Sequence, residues 1–396
     1  MGMVFNIVGC ECSKSHERRG SFKKVKVTDS TSSVLISTTI IPKELYMEKS
    51  GKNNINNVID DKKPNDTNVF EKYIQICLYA KTHYSNVYKV KNKLNNQIRA
   101  MKEIPKENIE NGSDTKNIIA SISMLRDLHH PNLIQLYEFY EDEKNYYLIS
   151  DLCEKIDLAE VLKERLFLCE FIVKFIMYKI LLAVNYLHKQ KIIHGNIKIT
   201  NVGFIKKQKY KINNIEIEDK KSNITELINK LSDNLKLRKE LISIDKYNLL
   251  SNEAKNFINN LNKYEVKLLD CWSQDIFMKN IIDNDNSDIM LNINYLSPEL
   301  FNESNARERD EWACGILMFY LVSGYYPFEG NTKEELVYEI INIDVDEEIN
   351  NLNISQECKD LLFKLLNKNA NYRIKIEDAL EHDFFQKGIK IKDFLG

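Results

Sequence analysis

Apolar residues follow two patterns along the chain, first short runs and then longer stretches with helical spacing. Tyr73–Leu78, Asn86–Val90 and Ile98–Ile104 are short runs rich in β-branched and aromatic residues, separated by polar segments. Leu133–Tyr140 and Asn145–Ile149 have the same character. Runs of this length and composition are typical of β-strands. The sequence therefore predicts a strand-rich region between residues 69 and 150.

Helical spacing marks one segment inside this region and several after it. Apolar residues from Ile118 to Leu128 repeat every three or four positions, and Ser113 or Asp114 is a suitable N-cap. From Glu170 to Gln190 the apolar residues again share one helical face, which predicts a long amphipathic helix. Cys314–Val322 is the longest candidate for a membrane-spanning run, and it is too short to span. It suits a core helix instead.

Composition and charge narrow the class of protein. The chain has 396 residues, of which 43% are hydrophobic, enough to bury one large core or two smaller ones. A net charge of −2 gives no global field that would attract nucleic acid, so no nucleic-acid partner is expected. The eight cysteines contain no C-x-x-C pair, which argues against a zinc site and favours buried thiols in a reducing, cytoplasmic compartment.

The first 68 residues are expected to be an N-terminal extension. Gly2 is a candidate for myristoylation, although Asn6 stands where the motif has Ser or Thr. Cys10 and Cys12 are candidates for palmitoylation and precede a basic run. Stable anchoring needs two such signals, so the sequence predicts peripheral attachment to the inner face of a membrane. The alternative is a disordered basic tail, and Thr28–Asn68 is predicted to be a polar linker.

Lys191–Asn201 carries the first motif with chemical content. The run K-I-I-H-G-N-I-K-I-T-N resembles the catalytic loop of protein kinases, H-R-D-L-x-x-x-N. His194, Lys198 and Asn201 stand where the family has them. Gly195 replaces the family's arginine, and Asn196 replaces its catalytic aspartate.

Other kinase-like motifs occur in the same order as in that family. Ile98–Ile104 resembles the V-A-I-K strand, and Asp270-Cys271-Trp272 resembles D-F-G. Ser297-Pro298-Glu299 resembles A-P-E, and Arg373 is where the family has the arginine that pairs with this glutamate. Leu133–Asp142 is similar to the matching stretch of the calcium/calmodulin-dependent group, which includes the calcium-dependent kinases.

The resemblance implies an α+β, bilobal protein kinase fold over residues 69–386. A small antiparallel β-sheet with one helix would form the N-lobe, residues 69–150, and a mainly α-helical C-lobe would follow at 151–386. Residues 206–265 exceed the family's short connection and form an insertion. Helical spacing at 224–235 and 250–261 predicts two helices there, with a disordered loop as the alternative. Residues 387–396 would be a tail.

The resemblance also assigns roles to individual residues. In the family such residues position the nucleotide phosphates, enclose the adenine, bind Mg²⁺ and handle the substrate hydroxyl. The corresponding residues here are Lys102 for phosphate, Val87 and Ala100 for the adenine roof, Asp151 and Cys153 for the hinge, Asn201 and Asp270 for metal, and Asn196 and Lys198 for catalysis.

Several positions depart from the family at nucleotide or catalytic contacts. Asn196 cannot accept a proton at neutral pH. Ser121 stands where a glutamate should pair with the strand lysine, and Gly203 stands where a leucine lies under the adenine. Three glycine positions of the phosphate-covering loop are occupied by side chains, namely Ala80, Thr82 and Ser85. ATP and Mg²⁺ are therefore expected to bind weakly or not at all.

The sequence thus favours a catalytically impaired pseudokinase that acts as a signalling scaffold or allosteric partner. Its signalling partners would dock on the 206–265 insertion. The alternative is a weak or atypical ATP-dependent Ser/Thr protein kinase that uses Lys198, Asn201 and Asp270 with metal. A second alignment, which places the metal-binding position at Lys211–Asn214, lacks an aspartate and ranks lower.

Overall fold

A computed structural model of the full chain describes part of these residues. The described residues, all within the compact unit Lys43–Gly396, are 65, 68–82, 85–108, 115–154, 158, 162, 168, 170–207, 211–212, 215–216, 263–271, 293–301 and 307–387. The acylation candidates Gly2, Cys10 and Cys12, the helix caps Ser113 and Asp114, the two insertion helices and Trp272 lie outside them.

A five-stranded antiparallel sheet forms the N-lobe, with strand order β1-β2-β3-β5-β4. The five predicted strands and the helix predicted from Ile118 to Leu128 are confirmed, and a second helix of one turn lies before the first strand. The N-lobe elements are the short helix α1 (Val69–Lys72), β1 (Tyr73–Lys81), β2 (Asn86–Asn92), β3 (Ile98–Pro105), α2 (Thr115–Arg126), β4 (Leu136–Glu141) and β5 (Asn145–Ser150).

Two details of this lobe differ from the sequence prediction. Strand β4 begins at Leu136 rather than Leu133, because Leu133 forms a bridge with Leu268 of the C-lobe instead of joining the sheet. At the other end, Asn65 pairs with Tyr140, and its amide donates to the carbonyl of Phe139 over 2.9 Å. The chain therefore contacts the lobe before the predicted boundary at residue 69.

Apolar side chains from both faces of the sheet are buried, since α2 covers one face and α1 lies against the other. Burial of such side chains on both faces supplies the main stabilisation of a small sheet. The α2 face buries Ile104, Ile122, Leu136, Phe139, Tyr146 and Leu148, and the opposite face buries Val69, Tyr73, Val90, Met101, Tyr140, Tyr147 and Ile149.

Helices dominate the C-lobe, as expected. Two long helices, α3 (Glu170–Lys189) and α4 (Glu308–Ser323), contact each other in its centre. Shorter helices surround them: α5 (Lys333–Asn342), α6 (Asp346–Asn351), α7 (Gln356–Leu365), α8 (Ile376–Leu380) and α9 (Asp383–Gln386).

The α3 helix meets the length and hydropathy criteria for a membrane span, which the search for uninterrupted apolar runs missed. Eleven of its residues are buried within the C-lobe, including Ile176, Ile180 and Val184. Such burial in a helical core accounts for its apolar character without a membrane.

A two-stranded ribbon joins the catalytic loop to the far end of the insertion. Strand β6 (Val202–Lys206) pairs in antiparallel register with β9 (Tyr264–Leu268). The Lys207 amide donates to the Lys263 carbonyl over 2.8 Å, so the two ends of the intervening segment lie side by side. Within that segment, β7 (Lys211–Ile212) pairs with β8 (Ile215–Glu216).

The predicted pairing of Arg373 with Glu299 is confirmed. The guanidinium nitrogens of Arg373 lie 2.6 and 3.0 Å from the two carboxylate oxygens of Glu299, and the arginine side chain is fully buried. Bidentate geometry of this kind fixes orientation as well as charge. The pair attaches the segment at Pro298–Phe301 to the C-lobe core.

Glu311, the second acidic residue at the start of α4, is buried in the same core. Its side chain is 3% exposed, and its Oε1 lies 4.0 Å from Nδ1 of His188. Burial, followed by the nearby Asp310 and Glu308 carboxylates, raises the pKa of Glu311 to about 8, against the opposing effect of Arg373 and Arg307. Glu311 is therefore protonated at neutral pH.

The raised pKa of Glu311 predicts that the free energy of unfolding falls as the pH rises. The folded protein retains the Glu311 proton up to a pH of about 8, whereas the unfolded carboxyl loses it near its ordinary pKa of 4.5. Between pH 6 and pH 8 the free energy of unfolding is expected to fall by about 2 kcal/mol. Urea unfolding across this range measures the slope.

Glu311→Gln should remove most of that slope, because an amide does not titrate. The matched control is Glu347→Gln in α6, an exposed glutamate whose replacement should leave the slope unchanged. Equal slopes in the wild-type protein and Glu311→Gln would contradict the assignment.

Candidate active site

The Lys191–Asn201 loop is held in place by the buried carboxylate of Asp310, at the start of α4. Asp310 accepts hydrogen bonds from the backbone amides of His194 and Gly195, each over 2.8 Å. Nε2 of His188 lies 2.8 Å from the same carboxylate. Burial alone would raise the pKa of Asp310, but the contact with His188, together with the His194 ring and the Gly195 amide, holds it below its ordinary value. A charged, fully paired Asp310 therefore fixes the loop.

The loop is also closed on itself. The side-chain amide of Asn201 donates to the backbone carbonyl of Asn196 over 2.7 Å, and the Asn196 amide donates to Nδ1 of His194 over 3.2 Å. The hydroxyl of Tyr295 accepts from the amide of Ile199 over 3.1 Å. These bonds bring the catalytic candidates Asn196 and Lys198 and the metal candidate Asn201 onto one short, restrained segment.

Lys102 on β3 meets Asp270 across the cleft. Its ammonium lies 2.9 Å from both carboxylate oxygens. Burial would raise the pKa of Asp270, but Lys102, and further off Lys198, hold it below its ordinary value. Asp270 has a φ of 57°, in the left-handed region that aspartate adopts more readily than most residues.

Asp270 takes the place of the missing glutamate as the partner of Lys102. Ser121, at the family's glutamate position, lies within α2, and the adjoining turns of that helix contain no carboxylate. A lysine this far buried, 10% exposed along its side chain, needs a compensating charge. The metal-binding candidate therefore also serves as the lysine's counterion.

The donors at this point fit Mg²⁺. The Asp270 carboxylate and the side-chain amide oxygen of Asn201 are hard oxygen ligands. The Leu269 backbone amide donates to the Asn201 backbone carbonyl over 2.9 Å, which keeps Asn201 close to Asp270, the residue after Leu269. Among the described residues no group of three or more His, Cys, Asp or Glu forms a complete metal site. Mg²⁺ commonly binds to one or two protein ligands together with substrate phosphates, so this small donor set suits that mode.

The adenine-site candidates lie together between β2, β3 and the segment after β5. Val87 is paired with Lys102, and Ala100 is paired with Ser150 at the end of β5. The Asp151 side chain points into a different cluster, where it accepts from the Tyr137 hydroxyl over 2.7 Å. Its backbone carbonyl accepts from the Ser150 hydroxyl over 3.2 Å. The Asp151 amide donates to the Gln135 carbonyl over 3.2 Å, so the second lone pair of the Asp151 carbonyl is the backbone group left to serve the site.

The space under the adenine site is not left empty by Gly203. A Cβ built on Gly203 would lie 2.7 Å from Sγ of Cys153 and 3.1 Å from a methyl carbon of Leu269. Contacts that short are not tolerated, so these two side chains already occupy the space. Cys153 and Leu269 therefore take up the space that a side chain at position 203 would occupy.

The loop between β1 and β2 is closed by its own hydroxyls. The Thr82 amide donates to the Ser85 carbonyl over 2.9 Å, and the Ser85 amide donates to the Thr82 hydroxyl over 3.0 Å. Backbone amides that cradle phosphates must be free to point at them. The amides of Thr82 and Ser85 are engaged within the loop, which accords with the loss of glycine there.

Gly195 adjoins a cavity of about 40 Å³ beneath the catalytic loop. Asn196, Lys198, Ser297 and Asp310 also line it. The Ser297 hydroxyl is buried and has no hydrogen-bond partner among the described residues. The cavity can hold ordered water, which would satisfy that hydroxyl.

Tyr79 is a residue of this site that the sequence analysis missed. Its hydroxyl donates to the backbone carbonyl of Cys153 over 2.7 Å, from β1 to the segment after β5. The signal available in the sequence was its position, since Tyr79 directly precedes Ala80, the first of the three glycine positions.

The structure also separates the two alignments of the metal-binding position. Strand β9 leads directly into Asp270 beside Lys102, whereas Lys211–Ile212 forms a small hairpin with Ile215–Glu216. The arrangement therefore favours Asp270 and puts the insertion before it in the chain.

Comparison with protein families gives one match to most of the chain. The model described as "Protein kinase domain" matches residues 81–219 and 244–385. Among solved structures, the crystal structure of Rad53 1-466 in complex with AMP-PNP has a TM-score of 0.56 and 20% sequence identity, and the match covers 80% of this chain and 66% of that one. This likeness supports the fold.

Curated relatives are distant and longer. Calcium-dependent protein kinase 5 of Plasmodium falciparum is 25% identical over 78% of this chain and 44% of its own length. Calcium-dependent protein kinase 4 of Plasmodium berghei is 23% identical over 94% and 60%. Serine/threonine-protein kinase PLK2 of Rattus norvegicus is 24% identical over 82% and 39%. This chain therefore spans roughly two to three fifths of the relatives it matches.

Four observations point to the same family: the bilobal fold, the Lys102–Asp270 ion pair, the restrained loop at Asn196–Asn201 and the match to the family model. The chain belongs to the protein kinase family.

Proposed function

We propose that this chain binds ATP with Mg²⁺ and is a Ser/Thr protein kinase of low turnover. The observation that carries the proposal is the ion pair between Lys102 and Asp270, whose chain neighbour Leu269 is bonded to the Asn201 backbone carbonyl. These are the residue types that position phosphates and metal in phosphoryl transfer. The similarity to calcium-dependent kinases and to PLK2 supports Ser/Thr specificity, as does Lys198.

Low turnover follows from Asn196. An amide can hydrogen-bond the substrate hydroxyl but cannot take its proton. A general base typically contributes about 10²–10⁴-fold to a rate. Positioning and charge stabilisation by Lys102, Lys198 and metal do not depend on that base, so residual transfer is expected.

A second candidate function is a pseudokinase that acts as a scaffold. Asn196 and the self-bonded loop at Thr82 and Ser85 favour it, because both remove parts that catalysis uses. In this version the 206–265 insertion is the docking site for signalling proteins. Acylation at Gly2, Cys10 and Cys12 would hold the chain at a membrane surface in either version, and these residues lie outside the described ranges.

Nucleotide binding is the first step to test. We expect Mg-ATP at millimolar concentration to raise the thermal unfolding temperature of the full chain, and ATP with EDTA to raise it less. Asp270→Asn should abolish the difference between the two conditions, because it removes the carboxylate that holds the metal. No shift with Mg-ATP would count against both nucleotide binding and catalysis.

Phosphotransfer from labelled ATP then separates the two functions. The low-turnover proposal expects slow labelling of a generic Ser/Thr protein substrate, abolished by Lys102→Ala together with Asp270→Ala. Labelling that persists in the double variant would show a contaminating kinase. A nucleotide shift without any labelling would support the scaffold version.

A further inference from the structure

Tyr79 is the extra residue of a β-bulge. Along β1 and β2, Leu78 pairs with Tyr88 and Ala80 pairs with Val87, so the register shifts by one residue at Tyr79. An extra residue of this kind bends the strand and re-aims a side chain, often beside an active site. Here the bulge accompanies a ring that reaches from β1 to the segment joining the lobes.

The Tyr79 hydroxyl donates to the Cys153 carbonyl over 2.7 Å, a short and well-formed bond. Burial, followed by the Glu154 and Cys153 side chains, raises the pKa of Tyr79 to about 12. The phenol therefore keeps its proton at neutral pH and remains a donor. The bond links residues 74 positions apart in the chain and ties β1 to the hinge.

The hinge segment is engaged by this chain's own hydroxyls at two carbonyls. Ser150 donates to the carbonyl of Asp151, and Tyr79 donates to that of Cys153. Below the hinge, Cys153 and Leu269 occupy the space beside Gly203. Tyr79 is thus bonded to the backbone of the same residue whose side chain lies beside Gly203.

We propose that Tyr79 is a latch on the nucleotide site, which must release the Cys153 carbonyl before the base of ATP can lie against the hinge. This inference rests on the proposed function, because it concerns the same site. It identifies an intramolecular contact that lowers nucleotide affinity and that a partner bound at β1 could release. The other role open to Tyr79 is a fixed roof that stacks on the base while its hydroxyl bond stays intact.

Tyr79→Phe distinguishes a latch from a roof, because it removes the hydroxyl and keeps the ring. Without the bond to displace, the full-length variant should bind Mg-ATP about 3- to 10-fold more tightly by calorimetry, the range that one net hydrogen bond corresponds to. Tyr147→Phe is the matched control, since Tyr147 also donates to a partner in the N-lobe, Asp142 over 2.8 Å, away from the hinge. It should leave the affinity unchanged.

Two results would overturn the latch. One is equal affinity in wild type and Tyr79→Phe, with weaker binding in Tyr79→Leu, which is the outcome a stacking roof predicts. The other is seen without nucleotide: if amide hydrogen exchange in β1 and at residues 151–154 is no faster in Tyr79→Phe than in Tyr147→Phe, no latch exists.

Because hydrogen exchange is measured without nucleotide, it distinguishes a failure of the latch from a failure of the proposed function. If no variant binds Mg-ATP at millimolar concentration, the proposed function fails, and the latch fails with it as a control on nucleotide entry. If Mg-ATP binds but Tyr79→Phe changes neither affinity nor exchange, the latch alone fails. Tighter binding together with faster exchange in Tyr79→Phe supports both.

Discussion

Asn196→Asp is expected to raise the phosphotransfer rate of this chain about 100-fold, the low end of what a positioned general base contributes. The substitution is nearly isosteric and restores a carboxylate at the catalytic-loop position. The loop is already held in place for it, because Asp310 fixes its start and Asn201 bonds the carbonyl of residue 196. That bond uses the backbone and survives the change.

The expected gain in rate is at the low end of the range for a general base because other residues that contact nucleotide or metal in kinases remain altered. Asp270 is still paired with Lys102 and would have to share its carboxylate with a bound metal, and the Thr82 and Ser85 amides remain bonded to their own loop. A base can act only on a substrate hydroxyl that lies in line with a positioned phosphate. The measurement is the initial rate of labelled-phosphate transfer at saturating Mg-ATP.

Asn95→Asp is the matched control for this experiment. Asn95 lies in the exposed turn between β2 and β3, so the substitution adds the same charge away from the cleft and should leave the rate unchanged. An unchanged rate in Asn196→Asp, with nucleotide binding intact, would show that the missing base is not what limits transfer. The scaffold version would then be favoured.

Much of the fold could be predicted because its signals are local. The five strands, α2 and α3 follow from runs of β-branched residues and from helical spacing, which short stretches of sequence record directly. Leu133 is an exception. It reads as the start of a strand, but its bridge to Leu268 on the other lobe removes it from the sheet. A partner 135 positions away leaves no local signal.

The site was harder to predict because the residues that depart from the kinase pattern are compensated by other residues of the fold. Taken singly, Ser121 predicts an unpaired lysine and Gly203 predicts an empty floor. The structure pairs Lys102 with Asp270 and places Cys153 and Leu269 beside Gly203. Tyr79 went unnoticed because its contact depends on a bulge. The sequence shows that a buried charge needs a partner or that a volume must be filled. Which residue provides the partner or fills the volume depends on tertiary packing.

Lys102→Met is expected to lower the free energy of unfolding by about 3 kcal/mol at neutral pH, since breaking one side of a buried ion pair leaves the other charge uncompensated. The Asp270 side chain is 22% exposed, which places the effect at the low end of that range. Urea unfolding measures it. Lys106→Met is the matched control, because the Lys106–Glu141 pair is closer, at 2.6 Å, but more exposed, and its loss should cost less than about 1 kcal/mol.

The pH dependence has a definite sign. Lys102 holds the pKa of Asp270 below its ordinary value, so the pair contributes stability above the ordinary aspartate pKa and loses it as the pH falls through the lower, folded value. The difference between wild type and Lys102→Met should therefore be largest near neutrality and shrink toward acid. A difference that stays constant with pH would point to lost packing rather than lost charge.

Mg²⁺ connects this stability effect to function. With Lys102 replaced, both Asp270 oxygens are released for metal, and a divalent cation can supply the missing positive charge. Millimolar Mg²⁺ should thus stabilise Lys102→Met more than the wild-type protein. The gain should vanish when Asp270→Asn is added. Equal stabilisation of wild type and Lys102→Met would mean that lysine and metal do not compete for Asp270, and that the cleft keeps a separate place for each.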